Sequence, residues 1–325
     1  MNAAAVSGKT GPPARLALAP PGKAGDNLFR LLTWLMAMMV LVLLALVGWT
    51  LCHGSRLALA KFGWNFFVHS NWDPVNGDFG ALPFILGTFV SSFAGLLIAL
   101  PLSLATAVYL TELAPGWVRQ PAISMIEMLA AIPSVVFGVW GMFVLVPWLR
   151  ENPYPLLMKY GGFLPFFRPP ATGFCILSAA VVIAIMILPI ITTIAREVFR
   201  AVPDSQREAA FALGATRWEV TRLAVLRYST RGIFGAAMLG LGRALGETMA
   251  VTMVIGNSDQ FSISVLKPGN TLASKIANEY AETFQGINLS ALFELGLMLL
   301  LVTVATHILA RVLIGVMGAP EHRAA

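Results

Sequence analysis

Six long apolar runs constrain the fold of this chain more than any other feature. Each is long enough to cross the hydrocarbon core of a bilayer as a helix, which takes about 20 residues. The runs lie near Leu31–Leu51, Phe84–Leu110, Ile123–Trp148, Ala171–Ala195, Gly232–Gly256 and Ser290–Ala310. Hydrophobic residues make up 57% of the chain and charged residues only 12%, a balance typical of membrane proteins. We therefore predict an all-α, multi-pass membrane protein with six transmembrane helices.

The distribution of cations predicts the orientation of these helices. With a cytoplasmic N-terminus, fourteen Lys and Arg residues lie inside, seven lie outside, and Arg243 lies within the membrane. Cytoplasmic loops carry the excess of Lys and Arg, so we expect both termini to be cytoplasmic. Residues 1–30 are predicted to be a flexible arm, and residues 316–325 a short tail. The net charge of +6 is explained by the same asymmetry, and we predict no nucleic-acid partner.

Residues that commonly carry chemistry do not form a site in this sequence. The triplet Gly8-Lys9-Thr10 resembles the end of a phosphate-binding loop, but Ala3 stands where that motif needs glycine. The four histidines are scattered and show no metal-ligand or nucleophile spacing. We therefore predict neither an enzyme nor a cofactor or metal site in this chain, and any energy must come from a partner.

Prolines and loops divide the apolar runs. Pro101, Pro133 and Pro189 lie inside the second, third and fourth runs, where each is predicted to kink its helix. The outer connections are predicted at residues 52–83, 149–170 and 257–289, and the last contains a helix-like stretch, Thr271–Phe284.

The cytoplasmic loop at residues 203–228 is polar and carries helix-start signals. Ser205 and Glu208 have capping-box spacing, which predicts a helix from Gln206 to about Leu213. Gly214 suits the left-handed position that follows a helix, and Thr216-Arg217-Trp218-Glu219 predicts a second helix start. Ala209 and Ala210 are small, so a partner could approach the first helix closely. The spacing alone leaves two interpretations open, a partner-docking hairpin and an amphipathic hairpin lying on lipid headgroups.

Arg243 and Glu247 are the most unusual residues of the fifth apolar run. A charged side chain near the middle of a membrane is costly unless it faces protein, water or a counter-charge. On a continuous helix the two residues lie about one turn apart on the same face. One interpretation is a pair that neutralises itself for insertion. The other is a guanidinium that offers planar donors to an oxyanion, with Glu247 holding it when the site is empty.

Small residues recur on the same run at helix-contact spacing. Gly242 and Gly246 form one row, and Gly232, Ala236 and Gly240 form another. Both rows predict close helix packing, which places the charged face between helices.

Several segments together resemble a known transporter family. Glu208-Ala209-Ala210, followed after three residues by Gly214, is similar to the EAA loop of ABC importer permeases, although Arg227 stands where that pattern has proline. GLGRALGETMAVTMVIGN, FGALPFILGTFVSS, AVYLTELAP and AIPSVVFGVWG resemble segments of the phosphate-specific permeases, most closely those of the PstC type. The resemblance covers most of residues 75–315, and outside it residues 31–52 form the first helix.

This resemblance implies more than the residue patterns do. It implies the fold of a type I ABC importer permease and a role in moving inorganic phosphate across the cell (inner) membrane. It also implies a second permease of PstA type, a cytoplasmic ATPase dimer that uses ATP and Mg, and an external phosphate-binding protein. Arg243 and Glu247 are then expected in the substrate pathway, and Glu208, Ala209, Ala210 and Gly214 in ATPase docking. A permease for sulfate or molybdate, and a membrane phosphate sensor or scaffold, remain the alternatives.

Overall fold

The computed structural model describes residues 23–260, 262–283 and 286–316, most of them helical. Predictions for the arm at residues 1–22, for the Gly8-Lys9-Thr10 triplet and for residues 317–325 lie outside the described residues. The α-helices are α1 (Lys23–Gly54), α2 (Arg56–Phe62), α3 (Asn65–Val68), α4 (Leu82–Val108), α5 (Gly116–Ala131), α6 (Ser134–Trp140), α7 (Val146–Glu151), α8 (Pro153–Gly161), α9 (Ile176–Arg200), α10 (Asp204–Ala212), α11 (Arg217–Val220), α12 (Thr230–Leu245), α13 (Met249–Val254), α14 (Leu272–Glu279) and α15 (Ile287–Val316). Segments Tyr109–Leu113, Gly141–Leu145 and Thr221–Leu226 are π-helical, and Pro165–Phe167 is a short 3₁₀ turn.

The chain divides into two compact units between Trp49 and Thr50. In the first unit the structure describes α1 from Lys23 onward, and this helix confirms the first apolar run. Because α1 begins at Lys23, the prediction that the non-helical arm extends to residue 30 is wrong.

Among the described residues, five helical stretches are long and apolar enough to cross a membrane. They are Gly25–Gly54, Leu82–Leu113, Ser134–Glu151, Ile176–Arg200 and Ile287–Val316. The first, second, fourth and sixth predicted runs therefore coincide with continuous helices. The third and fifth runs were predicted as single helices, and the structure divides each of them.

Pro133 interrupts the third run where a kink was expected. Ile132 has an extended backbone (φ −67°, ψ 129°) and separates α5 from α6. Proline disfavours helical geometry in the residue before it, which accounts for the break. Pro101 and Pro189 behave differently, since α4 and α9 continue through them.

The core of the second unit is built around α9, which packs mainly against α4 and α12. Glycines permit the close approach of these helices. A Cβ atom on Gly95 of α4 would lie 2.8 Å from Cγ2 of Ile183, and one on Gly240 of α12 would lie 2.7 Å from Cδ1 of Ile191. Gly232 packs in the same way on Val198. The predicted small-residue row along α12 is therefore confirmed as a contact with α9.

A small hairpin adds the strands β1 (Trp72–Asp73) and β2 (Asp78–Phe79), which pair antiparallel. The described residues are otherwise helices, turns and loops, so the all-α fold class is confirmed. The Asp73 carboxylate accepts hydrogen bonds from the Asn76 amide group and the backbone N–H groups of Val75 and Asn76, which lowers the pKa of Asp73. Side chains of Trp72 and Phe79 pack edge-to-face beneath the hairpin.

Lys275 ties this hairpin to the loop after α13. It is buried on α14 and forms ion pairs of 2.7 Å with Asp259 and 2.5 Å with Glu279. The Glu279 carboxylate also accepts a 2.9 Å hydrogen bond from the indole of Trp72. The helix expected within Thr271–Phe284 is confirmed as α14, which starts at a capping box on Thr271 and ends at Glu279.

Candidate functional site

The helix α10 carries the motif Glu208-Ala209-Ala210. It begins at Asp204, after Pro203, and no side chain caps its N-terminus. The predicted capping box of Ser205 and Glu208, with a start at Gln206, is therefore wrong. Asp204 lies in the first turn, where a negative charge is favoured by the helix dipole.

The turn after α10 has the predicted geometry. Gly214 has φ +82°, a left-handed conformation that glycine adopts without steric penalty. The capping box that follows is also confirmed, because the N–H of Thr216 donates to Glu219 Oε2 at 2.8 Å and the N–H of Glu219 donates back to the Thr216 hydroxyl. The N–H and then the hydroxyl of Thr216 both donate to the Glu219 carboxylate, and these two hydrogen bonds lower the pKa of Glu219. The loop therefore forms a helix, a glycine turn and a second helix that continues into a π-helical segment.

Exposed apolar side chains distinguish this loop from an ordinary polar surface. Leu213 is 90% exposed, Trp218 is 65% exposed, and about half of Phe211 is exposed. Glu208 and Ala209 are exposed beside them, and Ala210 is half-buried. Apolar side chains gathered on a polar hairpin are typical of a surface that a partner or a membrane covers.

Arg207 fixes α10 to the membrane helices, which the sequence analysis did not foresee. Its guanidinium donates to the backbone carbonyls of Phe199 (2.8 Å), in the last turn of α9, and of Val202 (2.6 Å), between α9 and α10. It also forms ion pairs with Asp204 at 3.1 Å and with Glu112, in the π-helical end of α4, at 3.2 Å. Only 17% of the Arg207 side chain and 16% of the Glu112 side chain are exposed. These contacts attach α10 to the ends of α4 and α9.

Arg243 and Glu247 lie at a break in the fifth apolar run. Arg243 is in the last turn of α12, which ends at Leu245 with Gly246 as its cap. Glu247 lies between α12 and α13, so the prediction that both residues share one continuous helix face is wrong. A guanidinium near a helix C-terminus is favoured by the carbonyl groups that end the helix. The break places both side chains where backbone polar groups are also available.

The predicted pairing of Arg243 with Glu247 is absent: within the described chain, neither forms an ion pair or side-chain hydrogen bond. Arg243 is exposed and Glu247 is half-buried, and together with Ile183 and Ile187 of α9 they line a narrow groove. A Cβ on Gly242 would lie 2.7 Å from the ring of His307 on α15, so this glycine makes the predicted close contact. The Arg243 guanidinium keeps its donors available to an anion.

Two further findings concern polar side chains within the apolar helices. The Ser91 and Thr248 hydroxyls donate to the nearby backbone carbonyls of Gly87 and Gly246. Glu294 on α15 is fully buried and was missed, although a single acid inside the apolar run Ser290–Ala310 is a visible signal.

Comparison with known proteins places the chain in a family. The family model for the binding-protein-dependent transport system inner membrane component matches residues 99–315. The phosphate transport system permease protein PstC of Haemophilus influenzae is 45% identical over 293 residues, covering 89% of this chain and 93% of that protein. PstC of Pasteurella multocida is 46% identical over 293 residues, with 89% and 91% covered. A probable PstC of Methanocaldococcus jannaschii is 32% identical over 287 residues, with 86% and 91% covered.

A solved structure shares the fold at low sequence identity. The crystal structure of a bacterial ABC transporter involved in the import of the acidic polysaccharide alginate aligns with a TM-score of 0.58 and 14% identity. The alignment covers 90% of this chain and 98% of that chain. The chain thus has the fold of an ABC importer permease, and it belongs to the family of binding-protein-dependent transport system inner membrane components, as a multi-pass subunit of the inner membrane.

Proposed function

We propose that this chain is a permease subunit through which an ATP-driven importer moves inorganic phosphate across the inner membrane. The observation that carries the proposal is 45% identity to a PstC phosphate permease over 89% of the chain. Arg243, which has no ion pair within the described residues, supports it, because planar N–H donors suit the oxygen atoms of phosphate.

The partners follow from this function. A second permease of PstA type completes the pathway, and an external phosphate-binding protein delivers the solute. A cytoplasmic ATPase dimer binds ATP and Mg and docks on the hairpin around Glu208, Ala209, Ala210 and Gly214. The exposed side chains of Leu213 and Trp218 support docking, because they offer apolar surface to a partner.

The groove beside Arg243 contributes to passage of the anion. Arg243 attracts phosphate electrostatically, whereas the half-buried carboxylate of Glu247 limits how tightly the anion is held. A phosphate that keeps a proton also donates a hydrogen bond to Glu247, which sulfate does not.

Uptake into proteoliposomes tests the proposal. The complete complex, with its permease, ATPase and binding-protein partners, is expected to accumulate radiolabelled phosphate only when ATP is supplied to the ATPase side. Gly214→Ala should reduce uptake, because alanine at φ +82° is strained by about 1 kcal/mol or more. Gly116→Ala is the matched control, since Gly116 has no neighbour within 4 Å and no left-handed backbone.

Three results would contradict the proposal. Uptake that is indifferent to ATP would indicate a stand-alone carrier. Uptake of sulfate or molybdate in place of phosphate would assign a different oxyanion. An assembled complex that hydrolyses ATP and carries no oxyanion would favour a sensor.

A further inference from the structure

A groove of about 590 Å³ lies between α12 and α15, apart from the regions described above. Gly235, Met238 and Leu239 of α12 form one wall, and α15 forms the other from Thr303 to Ile314. At about 1.5 Å per residue, that stretch of α15 rises roughly 16 Å, or about half of the hydrocarbon thickness of a bilayer. The groove therefore has about the length of one leaflet.

The walls of the groove are apolar and open. Leu239, Val304 and Ile308 are exposed along it. Gly235 leaves further room, because a Cβ on this residue would have no neighbour within 4 Å. Neither α12 nor the part of α15 beyond Glu294 contains an Asp or Glu residue. The groove therefore offers hydrocarbon-lined space with no acid on either helix to repel an anion.

Arg311 is the polar side chain of the groove whose donors are free. It lines the groove and is exposed, and it forms no ion pair or side-chain hydrogen bond within the described residues. Thr303 and His307, which also line the groove, are engaged with carbonyls one turn earlier on α15. The guanidinium of Arg311 can therefore contact a molecule that lies in the groove.

The depth of Arg311 suits a lipid headgroup. The 30 residues of α15 rise about 45 Å, more than the hydrocarbon core of about 30 Å, so its last turns extend to the headgroups. Successive spans cross a membrane in opposite directions, which places the start of α12 beside the end of α15. Arg231, in the first turn of α12, therefore adds a second positive charge at this end, and it has no ion pair within the described chain.

An anionic phospholipid matches both parts of the groove. Guanidinium groups donate planar N–H groups to phosphate oxygens, and each basic residue near a membrane surface attracts anionic headgroups by about 1 kcal/mol. A free phosphate ion would leave the apolar walls uncovered. An apolar helix would cover the walls and leave Arg311 without an anion.

We infer that this groove binds an anionic phospholipid, whose phosphate accepts hydrogen bonds from Arg311 and whose acyl chain lies along Leu239, Val304 and Ile308. The bound lipid joins α12 to α15. No side chain that lines this groove lines the groove at Arg243, so the inference does not depend on the transported solute.

Native mass spectrometry of the purified full-length protein, alone and with its partners, tests the headgroup contact. Phosphatidylglycerol and phosphatidylcholine with identical acyl chains are titrated separately. We expect the wild type to bind phosphatidylglycerol at least about tenfold more tightly, because the choline cation opposes Arg311. Arg311→Gln should remove this preference, and Arg311→Lys should retain part of it. Arg150→Gln, at an exposed arginine outside the groove, is the matched control and should retain the preference in full.

A second pair of variants tests whether the acyl chain lies in the groove. Gly235→Leu places a side chain into the open space and should weaken phosphatidylglycerol binding about tenfold. Gly315→Leu is the matched control, because Gly315 on α15 also has no neighbour within 4 Å and does not line the groove. Leucine favours a helix more than glycine does, so both variants should keep their helices.

The comparison of lipids in the wild type remains decisive if a variant folds poorly. Equal binding of the two lipids, a preference that survives Arg311→Gln, or unchanged binding by Gly235→Leu would each overturn the inference. Loss of the second permease subunit from Gly235→Leu, without a change in lipid binding, would also overturn it by identifying a partner helix in the groove.

Discussion

Arg243 is not simply neutralised by a neighbouring acid, as a charged residue within a membrane helix often is. Its side chain is exposed, and in the described chain it has no ion pair, although Glu247 follows four residues later. The end of α12 at Leu245 separates the two residues, since Glu247 leaves the helical path. We therefore propose that the two groups serve as an attracting charge and a separate carboxylate beside one groove.

Substitution at Arg243 tests this view. Arg243→Gln should abolish phosphate uptake while the complex still assembles, because the charge and the planar donors are lost. Arg243→Lys should be intermediate, with a roughly tenfold loss, since lysine keeps the charge without the bidentate fork. Uptake rates of equally expressed variants provide the measurement, and near-normal uptake by Arg243→Gln would contradict the assignment.

Arg243 and Glu247 make no contact with each other but line one groove, which gives a second prediction at this scale. Residues that share a partner usually couple by about 0.5 to 3 kcal/mol. If both side chains meet the same phosphate, Arg243→Lys combined with Glu247→Gln should change uptake by a factor that differs from the product of the two single effects. An additive result would show that the two side chains do not meet the same anion during transport.

At the scale of elements, Arg207 positions the hairpin for which docking is proposed. Glycine at 214 and the Thr216 capping box shape the hairpin locally, but four contacts from one guanidinium hold α10 on the ends of α4 and α9. Two of those contacts differ in environment. Asp204 is 88% exposed, whereas Glu112 is mostly buried.

Substituting the two acidic partners of Arg207 one at a time should distinguish the attachment of α10 to α4 from an effect of surface charge. Glu112→Gln should uncouple the complex, so that ATP hydrolysis continues with reduced phosphate uptake, because α10 moves without α4. Its coupling energy with Arg207→Gln should be about 1 to 3 kcal/mol. Asp204→Asn is the matched control, and its exposed pair should contribute less than about 1 kcal/mol. Equal effects of the two substitutions on the ratio of uptake to hydrolysis would contradict this role for Glu112.

At the scale of the whole molecule, loop segments distant in sequence meet at Lys275. Asp259 follows α13, Glu279 ends α14, and Trp72 belongs to the hairpin before α4. Lys275 also lies 5.1 Å from the centre of the Trp72 ring, so one cation contacts all three segments.

Lys275→Met should destabilise the protein by leaving two carboxylates without a counter-charge. Removing one partner of a buried ion pair typically costs about 3 to 5 kcal/mol, and we expect roughly 2 to 3 here, because both acids are partly exposed. The free energy of unfolding of the purified protein is the measurement. Lys267→Met, on the same outer loop, is the control, and an equal loss in both variants would argue against the cluster.

The sequence by itself determined the features that depend on local pattern. Apolar runs specify membrane helices because length and hydrophobicity suffice, and they located α1, α4, α9 and α15. The turn at Gly214 and the cap at Thr216 were predictable because each involves neighbours within a few residues. Motifs of the docking hairpin and of the segment around Arg243 also indicated the family, which the relatives then confirmed.

Only the tertiary structure decided where helices break and which charges meet. Proline interrupts the chain at Pro133 but not at Pro101 or Pro189, since the outcome depends on what packs around each helix. The pair of Arg207 with Glu112 spans 95 residues, and that of Trp72 with Glu279 spans 207. Glu294 was visible as a charge, yet its burial arises from helices packed against α15. Such contacts follow from three-dimensional packing, because no short-range spacing in the chain encodes them.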